Sequence, residues 1–363
     1  MPVAARSLHV RGIVLPGQAT RDVFIAGGRF TFAAQDDAVT VLDGGYLVPG
    51  LVDAHAHLSL ASPAGNDASP PDRVRASARA QLAAGVLAVR EPGSPDYASQ
   101  LAGPEGGLPR TVTAGRFLAM PGRYFPGLAR EVAPEELPAA AAQEATASGA
   151  WAKVIADFPS ASGRIEPSFP AAALAEAAVQ VHALGRQITA HASCPEAIEA
   201  CLDAGFDAIE HGTQARPDHL AAMAQRGACL VPTLIIRDGI LAAARSLGWD
   251  EAAVAELGRD LDAQPGRVRW AAEQGVRVLA GTDAGMGPHG MIATEIALLL
   301  AAGLPPGQAL GAGSWTARRY LGLPGIDEGA PADLVAYADD PRQDADVLRR
   351  PALIMLDGNV VRP

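Results

Sequence analysis

Hydrophobic and polar positions alternate over residues 7–14 and 21–32, the period of a strand with one buried face. Turn formers at Pro16-Gly17 and Gly27-Gly28 punctuate these runs, and residues 39–42 add a further short strand before Pro49-Gly50 interrupts the chain. From residue 51 the pattern changes. Eight short apolar runs, at 51–53, 86–90, 111–114, 151–156, 187–190, 207–210, 228–231 and 276–280, alternate with longer stretches. Ala-rich helical patterns lie near 71–84, 134–148, 168–184, 195–204, 216–226, 250–274 and 293–302, while the interval between the second and third runs is short and irregular. Strands alternating with helices predict a parallel α/β architecture, and eight of them predict closure into a (β/α)8 TIM barrel over residues 49–323. A doubly wound open sheet is the rival, but no Gly-x-Gly-x-x-Gly follows any of the runs. After a helix near 306–320, strand patterns return at 332–337 and 353–356, with Asp357-Gly358-Asn359 as a turn. Residues 1–48 and 324–363 are therefore expected to build one small β-domain beside a barrel of residues 49–323.

Composition narrows the partners. The chain has 363 residues, 49% of them hydrophobic, enough for a large core and too apolar for a disordered chain. A net charge of −11 argues against nucleic acid or an anionic membrane surface, both of which need basic patches. No apolar stretch of signal-peptide length opens the chain, and the apolar run 296–304 is too short to span a bilayer. Cys194, Cys201 and Cys229 are odd in number and lack Cys-x-x-Cys spacing, so they are expected to be buried thiols in a reducing compartment, the cytoplasm. The expected partner is a small-molecule substrate, and a homo-oligomer remains open. The basic residues add one more fact. Of 29, only Lys153 is lysine. That bias makes Lys153 a candidate for a site where a guanidinium cannot serve, the alternative being a lysine retained by accident.

Barrel enzymes carry their chemistry at the C-terminal ends of strands, and ionisable residues stand there repeatedly. His55 and His57 close the first run as His-x-His, a spacing that puts both imidazoles on one face of a strand. Lys153 lies within the fourth, on a face with Trp151 and Ile155. His191 ends the fifth, His211 the sixth and Asp283 the eighth. One strand-end histidine is ordinarily structural; four, with an aspartate and the only lysine, point to a metal centre. His9, His182 and His219 fall on other elements and are read as structural or exposed.

With Val52-Asp53-Ala54-His55-Ala56-His57, Lys153, His191, His211 and Gly281-Thr282-Asp283-Ala284, the chain resembles the amidohydrolase superfamily over nearly its whole length. Gly329-Ala330-Pro331-Ala332-Asp333-Leu334-Val335 is similar to the family's return into its second domain. Within the superfamily the resemblance is to imidazolonepropionase-like and binuclear prolidase-like hydrolases. It implies a distorted barrel with a composite β-sandwich, holding two divalent ions, usually zinc. The resemblance gives His55, His57 and Asp283 to one ion and His191 and His211 to the other. Lys153, carboxylated by CO2, would bridge them. It also implies that Asp283 moves the proton during hydrolysis of a small amide, such as an N-acyl amino acid, dipeptide or cyclic amide. Ester or lactone hydrolysis, a mononuclear deaminase and a metal-free scaffold are the alternatives.

The substrate side departs from the prolidase-like pattern. Where relatives carry Gly-Gly-His after strand three, this chain has Met120-Pro121-Gly122-Arg123-Tyr124, and Asp157-Phe158-Pro159 follows strand four. Arg123 and Tyr124 are candidate donors to substrate. Arg237 is a candidate carboxylate clamp, His289 a candidate contact, and Arg90-Glu91 a candidate supporting ion pair.

Overall fold

Alternating side chains at both ends of the chain resolve into a single hydrogen-bonded sheet. The computed structural model describes residues 6–65, 67–160 and 163–362. The sheet runs in the order Asn359–Arg362, Leu353–Leu356, Leu334–Tyr337, Val39–Pro49, Leu8–Val14, Thr20–Ala26, Arg29–Thr31. Val39–Pro49 is the shared strand, parallel to Leu8–Val14 and antiparallel to Leu334–Tyr337. Gly44 and Gly45 take φ of 114° and 77° in its middle, beside shifts of register, as a bulged and bent strand requires. The bend brings Val10, Val23 and Ile25 against Leu334, Ala336 and Met355 in one core, so the sheet closes on itself as a small sandwich does. Alternate residues Val335, Tyr337, Ile354 and Leu356 face the other way and join the main core.

The eight expected runs form strands at Leu51–Asp53, Val86–Glu91, Arg110–Thr113, Trp151–Ile155, Gln187–Ala192, Ala208–His211, Cys229–Val231 and Arg277–Val278. Neighbours pair in parallel from the first to the third and from the fourth to the eighth. Closure comes from the Ala54 N–H donating to the Ala280 carbonyl at 2.9 Å. The distortion sits at the third position. There the chain breaks at Gly115, so that Arg110–Thr113 pairs with the second strand and Phe117–Ala119 with the fourth. Gly115 has φ 66°, and a Cβ would stand 3.0 Å from the Glu144 carbonyl oxygen, so a side chain at the break would be strained. Asp333 pins the barrel to the end sheet by accepting from Arg110 Nε at 2.7 Å and Arg318 Nη2 at 3.1 Å.

One helix was absent from the sequence pattern. Arg237–Ser246 packs against Glu251–Glu273, and Leu241, Ala244, Val254, Leu257 and Leu261 make a satellite core between them. Among the described residues no helix is long and apolar enough to cross a membrane. Cys194, Cys201 and Cys229 are buried free thiols.

Candidate metal centre

His55 and His57 lie just beyond the three-residue first strand rather than on it. Their convergence therefore comes from anchoring, not from strand alternation. The His55 imidazole is held through Nδ1 by Glu210 Oε2 and the His57 imidazole through Nδ1 by the Gly93 carbonyl, each at 2.8 Å. Both oxygens are acceptors, so the Nδ1 atoms carry the protons and the Nε2 atoms, 3.2 Å apart, face a common point. Asp283 Oδ1 reaches the same point, 3.3 Å from His55 Nε2 and 3.1 Å from His57 Nε2. Donor atoms of all three residues lie within 4.8 Å of one another, close enough for one ion. The eighth strand is threaded tightly past the first to achieve this: a Cβ on Gly281 would sit 2.6 Å from His55 Cβ, and Thr282 Oγ1 donates to Asp53 Oδ2 at 2.6 Å.

The second half of the centre is looser. His211 is fixed by Thr233 Oγ1 at its Nδ1, 2.8 Å away, and its ring lies 4.6 Å from that of His191. His191 is a quarter exposed, with Nε2 3.5 Å from Asp157 Oδ1. Asp157 is itself held by the Ser193 and Cys194 N–H groups, both at 2.6 Å, and burial pushes its pKa up to about 6. Lys153 is fully buried on its strand with its stem by Gly93. All six expected ligands line one cavity. Backbone strain gathers at the same place. Of the four described non-glycine residues with positive φ, three are His211, Thr233 and Asp283.

Beneath the centre lies a buried ion pair that the sequence did not reveal. Arg90 Nη1 donates to Glu210 Oε1 at 2.8 Å, and the guanidinium stacks 4.2 Å over the Trp151 ring. The expected Arg90–Glu91 pair does not form, because successive strand residues point to opposite faces. Glu91 instead accepts from the Leu58 N–H at 2.7 Å and from Ser99 Oγ, and burial raises its pKa to about 8. Glu210 is buried as well, yet Arg90, His55 and Lys153 hold it well below the usual carboxylate range. Burial lowers Lys153 to about 8 against the pull of Glu210. Asp283, though buried, is kept well below its ordinary value by His55 and His57. Burial lowers His57 and leaves it neutral, while on His55 the Asp283 and Glu210 carboxylates outweigh burial and favour a positive charge. Glu210, Thr233 and Asp157 are thus site residues that sequence reasoning passed over. For Glu210 the signal was present, as a carboxylate inside an otherwise apolar strand next to His211.

The Amidohydrolase family profile matches residues 46–361, almost the whole chain. This chain belongs to the amidohydrolase family. It is 41% identical over 360 residues to an uncharacterized protein of Mycobacterium tuberculosis, covering 98% of this chain and 96% of that one. Among solved structures it is similar to a Xaa-Pro dipeptidase with bound methionine in its active site, at TM-score 0.83 and 22% identity, covering 98% of this chain and 99% of that chain. It is also similar to A. niger ochratoxinase, at TM-score 0.83 and 20% identity, covering 99% and 96% of the two chains. Those likenesses carry the fold. As an amidohydrolase the chain is a hydrolase acting on carbon–nitrogen bonds.

On the substrate side of this amidohydrolase the expected residues are placed in different ways. The cavity measures about 420 Å³, and Tyr124 lines it, packed on Phe117, Phe125 and Phe158. Arg123 does not line it. Its guanidinium donates to the carbonyls of Phe158 at 2.7 Å and Glu166 at 2.9 Å, tying down the hairpin of Asp157–Pro159 and Ile165–Pro167. Arg237 is exposed and engaged by Asp238 and Asp262. His289 sits one residue past the lining Pro288, outside the wall, with its pKa lowered to about 4 by burial. His9, His182 and His219 lie away from the cavity: His9 and His182 meet the Asp22 and Asp207 carboxylates, and buried His219 accepts from the Arg216 N–H.

Proposed function

We propose that the chain is a metal-dependent hydrolase that cleaves an amide bond of a small molecule at a binuclear centre, with zinc as the ion. His55, His57 and Asp283 would hold one ion. His191 and His211 would hold the second, with carboxylated Lys153 between the two. The observation that carries this reading is the meeting of two imidazole Nε2 atoms and a carboxylate oxygen within 3.1–3.3 Å. With both Nδ1 protons directed away, this is an acceptor-rich point that calls for a cation. The charge favoured on His55 is the protein's own partial answer, and a divalent ion would replace it. When bound, such ions lower the pKa of water toward neutrality and polarise the carbonyl under attack.

The side chains perform the remaining steps. Asp283 is ionised at neutral pH and accepts the proton of the attacking water. As the water oxygen bonds to the carbonyl carbon and the C–N bond breaks, Asp283 returns that proton to the leaving nitrogen. Glu210 and the Gly93 carbonyl keep the imidazoles aimed throughout. Lys153 at a pKa of about 8 has roughly a tenth of its amine neutral at pH 7, the form that adds CO2, releasing a proton. Arginine has no such form.

The test is metal content with turnover. Protein prepared with zinc and bicarbonate is expected to carry two ions per chain, and Lys153→Arg to carry one or fewer and to lose turnover. Two ions and ordinary turnover in Lys153→Arg would remove the bridge, and one ion with full activity in the wild type would favour a mononuclear site.

A further inference from the structure

Above the ionisable floor the cavity has apolar walls. Phe117, Phe125 and Phe158 stand on the side of the third and fourth strands, and Ile236, Ile240 and Leu257 on the side of the helical hairpin. The two sides meet overhead. Ile165, on the hairpin that Arg123 ties down, packs into the satellite core of the helices, and a Cβ on Gly163 would lie 3.2 Å from the Trp249 ring. Among the described residues, Lys153 is the only lysine or arginine lining the cavity, and it lies at the floor. Five arginines adjoin lining residues in sequence and none lines the cavity: Arg116 is held by Glu144, Arg123 by backbone carbonyls and Arg237 by exposed aspartates, while Arg164 and Arg245 are exposed.

The carboxylate of an N-acyl amino acid, carried on the carbon next to the scissile nitrogen, would face the isoleucine and phenylalanine walls with no lysine or arginine side chain above the floor to meet it. Burying an unpaired charge in such a setting is strongly unfavourable. We infer that the substrate is a small neutral amide with apolar substituents on both sides of the scissile bond, an N-acyl alkylamine or arylamine rather than a dipeptide or N-acyl amino acid. The assignment rests on the hydrolase reading for the position of the scissile bond, and on the walls for the rest. It narrows the substrate classes left open by sequence.

Two probes of nearly equal shape test it on metal-loaded protein: N-benzoyl-leucine, and N-(3-methylbutyl)benzamide, which lacks only the carboxylate. Binding is measured by calorimetry and cleavage by release of amine. The neutral probe is expected to bind at least about 10-fold more tightly. Equal or tighter binding of the carboxylate overturns the assignment. Ile240→Arg places a guanidinium in the wall and is expected to shift the preference toward the carboxylate by about 10-fold or more. A variant that still folds and weakens both probes equally also counts against it. Preserved neutral preference without cleavage of either probe sinks the hydrolase reading and leaves the pocket assignment standing. Cleavage of some other simple amide, with neither probe bound, sinks the pocket assignment alone.

Discussion

The floor of the cavity is built from ionisable groups, and its histidines and carboxylates are tied to named partners. Its roof is built from apolar side chains that share a small core of their own. On the floor, Glu210 joins His55, Arg90 and Thr189 through its two oxygens, so moving one group disturbs several. In the roof, contacts are numerous and individually weak, and a lost side chain is partly made good by its neighbours. The floor therefore fixes which reaction can occur, and the roof which molecule reaches it. Substitutions in the two regions should differ in kind as well as in size.

The largest expected effect is at Glu210. Glu210→Gln leaves the Arg90 guanidinium buried with the Trp151 face and the Ala54 carbonyl but no counter-charge. A stability loss of about 3–5 kcal/mol is expected by denaturant unfolding, with metal affinity lower by about 10- to 100-fold as His55 loses its anchor. Adding Arg90→Met removes the orphaned charge. The double variant should regain stability yet not metal affinity. If both return together, Glu210 acts on the metal only through folding, and the floor is no more specialised than the roof.

The same contrast explains what could be read from sequence. Barrel strands, the end strands and the strand-end His, Asp and Lys residues were legible because each breaks a local pattern, as a charged residue closing an apolar run does. The roof was not legible. Ile236, Ile240 and Leu257 carry side chains that any buried helix would carry, and nothing local distinguishes a cavity wall from a core. The helix Arg237–Ser246 escaped notice for a related reason: Gly239 near its start weakens the helical pattern. Arg90 shows the limit of adjacency. Its neighbour in sequence faces away, and its partner lies 120 residues on.

A smaller effect, and one on stability rather than chemistry, is expected at Glu91. The folded protein holds this proton up to about pH 8, whereas the carboxyl ordinarily titrates near 4.5, as it would in the unfolded chain. Its contribution is therefore full below about pH 4.5 and is lost as pH rises through 8, over a range worth roughly 3–5 kcal/mol at most. Glu91→Gln keeps an acceptor for the Leu58 N–H and removes the titration. Its unfolding free energy should fall less between pH 5 and pH 8 than that of the wild type. Glu295, raised to about 8 by burial, leaves a residual slope in both proteins. Identical slopes would mean that Glu91 is ionised in the fold.

The smallest effect is expected where sequence placed a carboxylate clamp. Arg237 opens the first helix of the roof, with Nε and Nη2 on Asp262 Oδ1 at 2.8 and 2.6 Å and Nη1 on Asp238 Oδ1 at 2.6 Å. All of these groups are exposed, so water competes for every contact and salt screens the rest. Arg237→Ala should leave the unfolding midpoint unchanged within error. It should also leave the binding of N-benzoyl-leucine and of its neutral counterpart within about two-fold of wild type, since exposed ion pairs contribute little. A selective loss of the carboxylate probe would show that the guanidinium leaves its aspartates to meet substrate. The roof would then carry a charge when occupied, and the division between a polar floor and an apolar roof would hold only for the empty cavity.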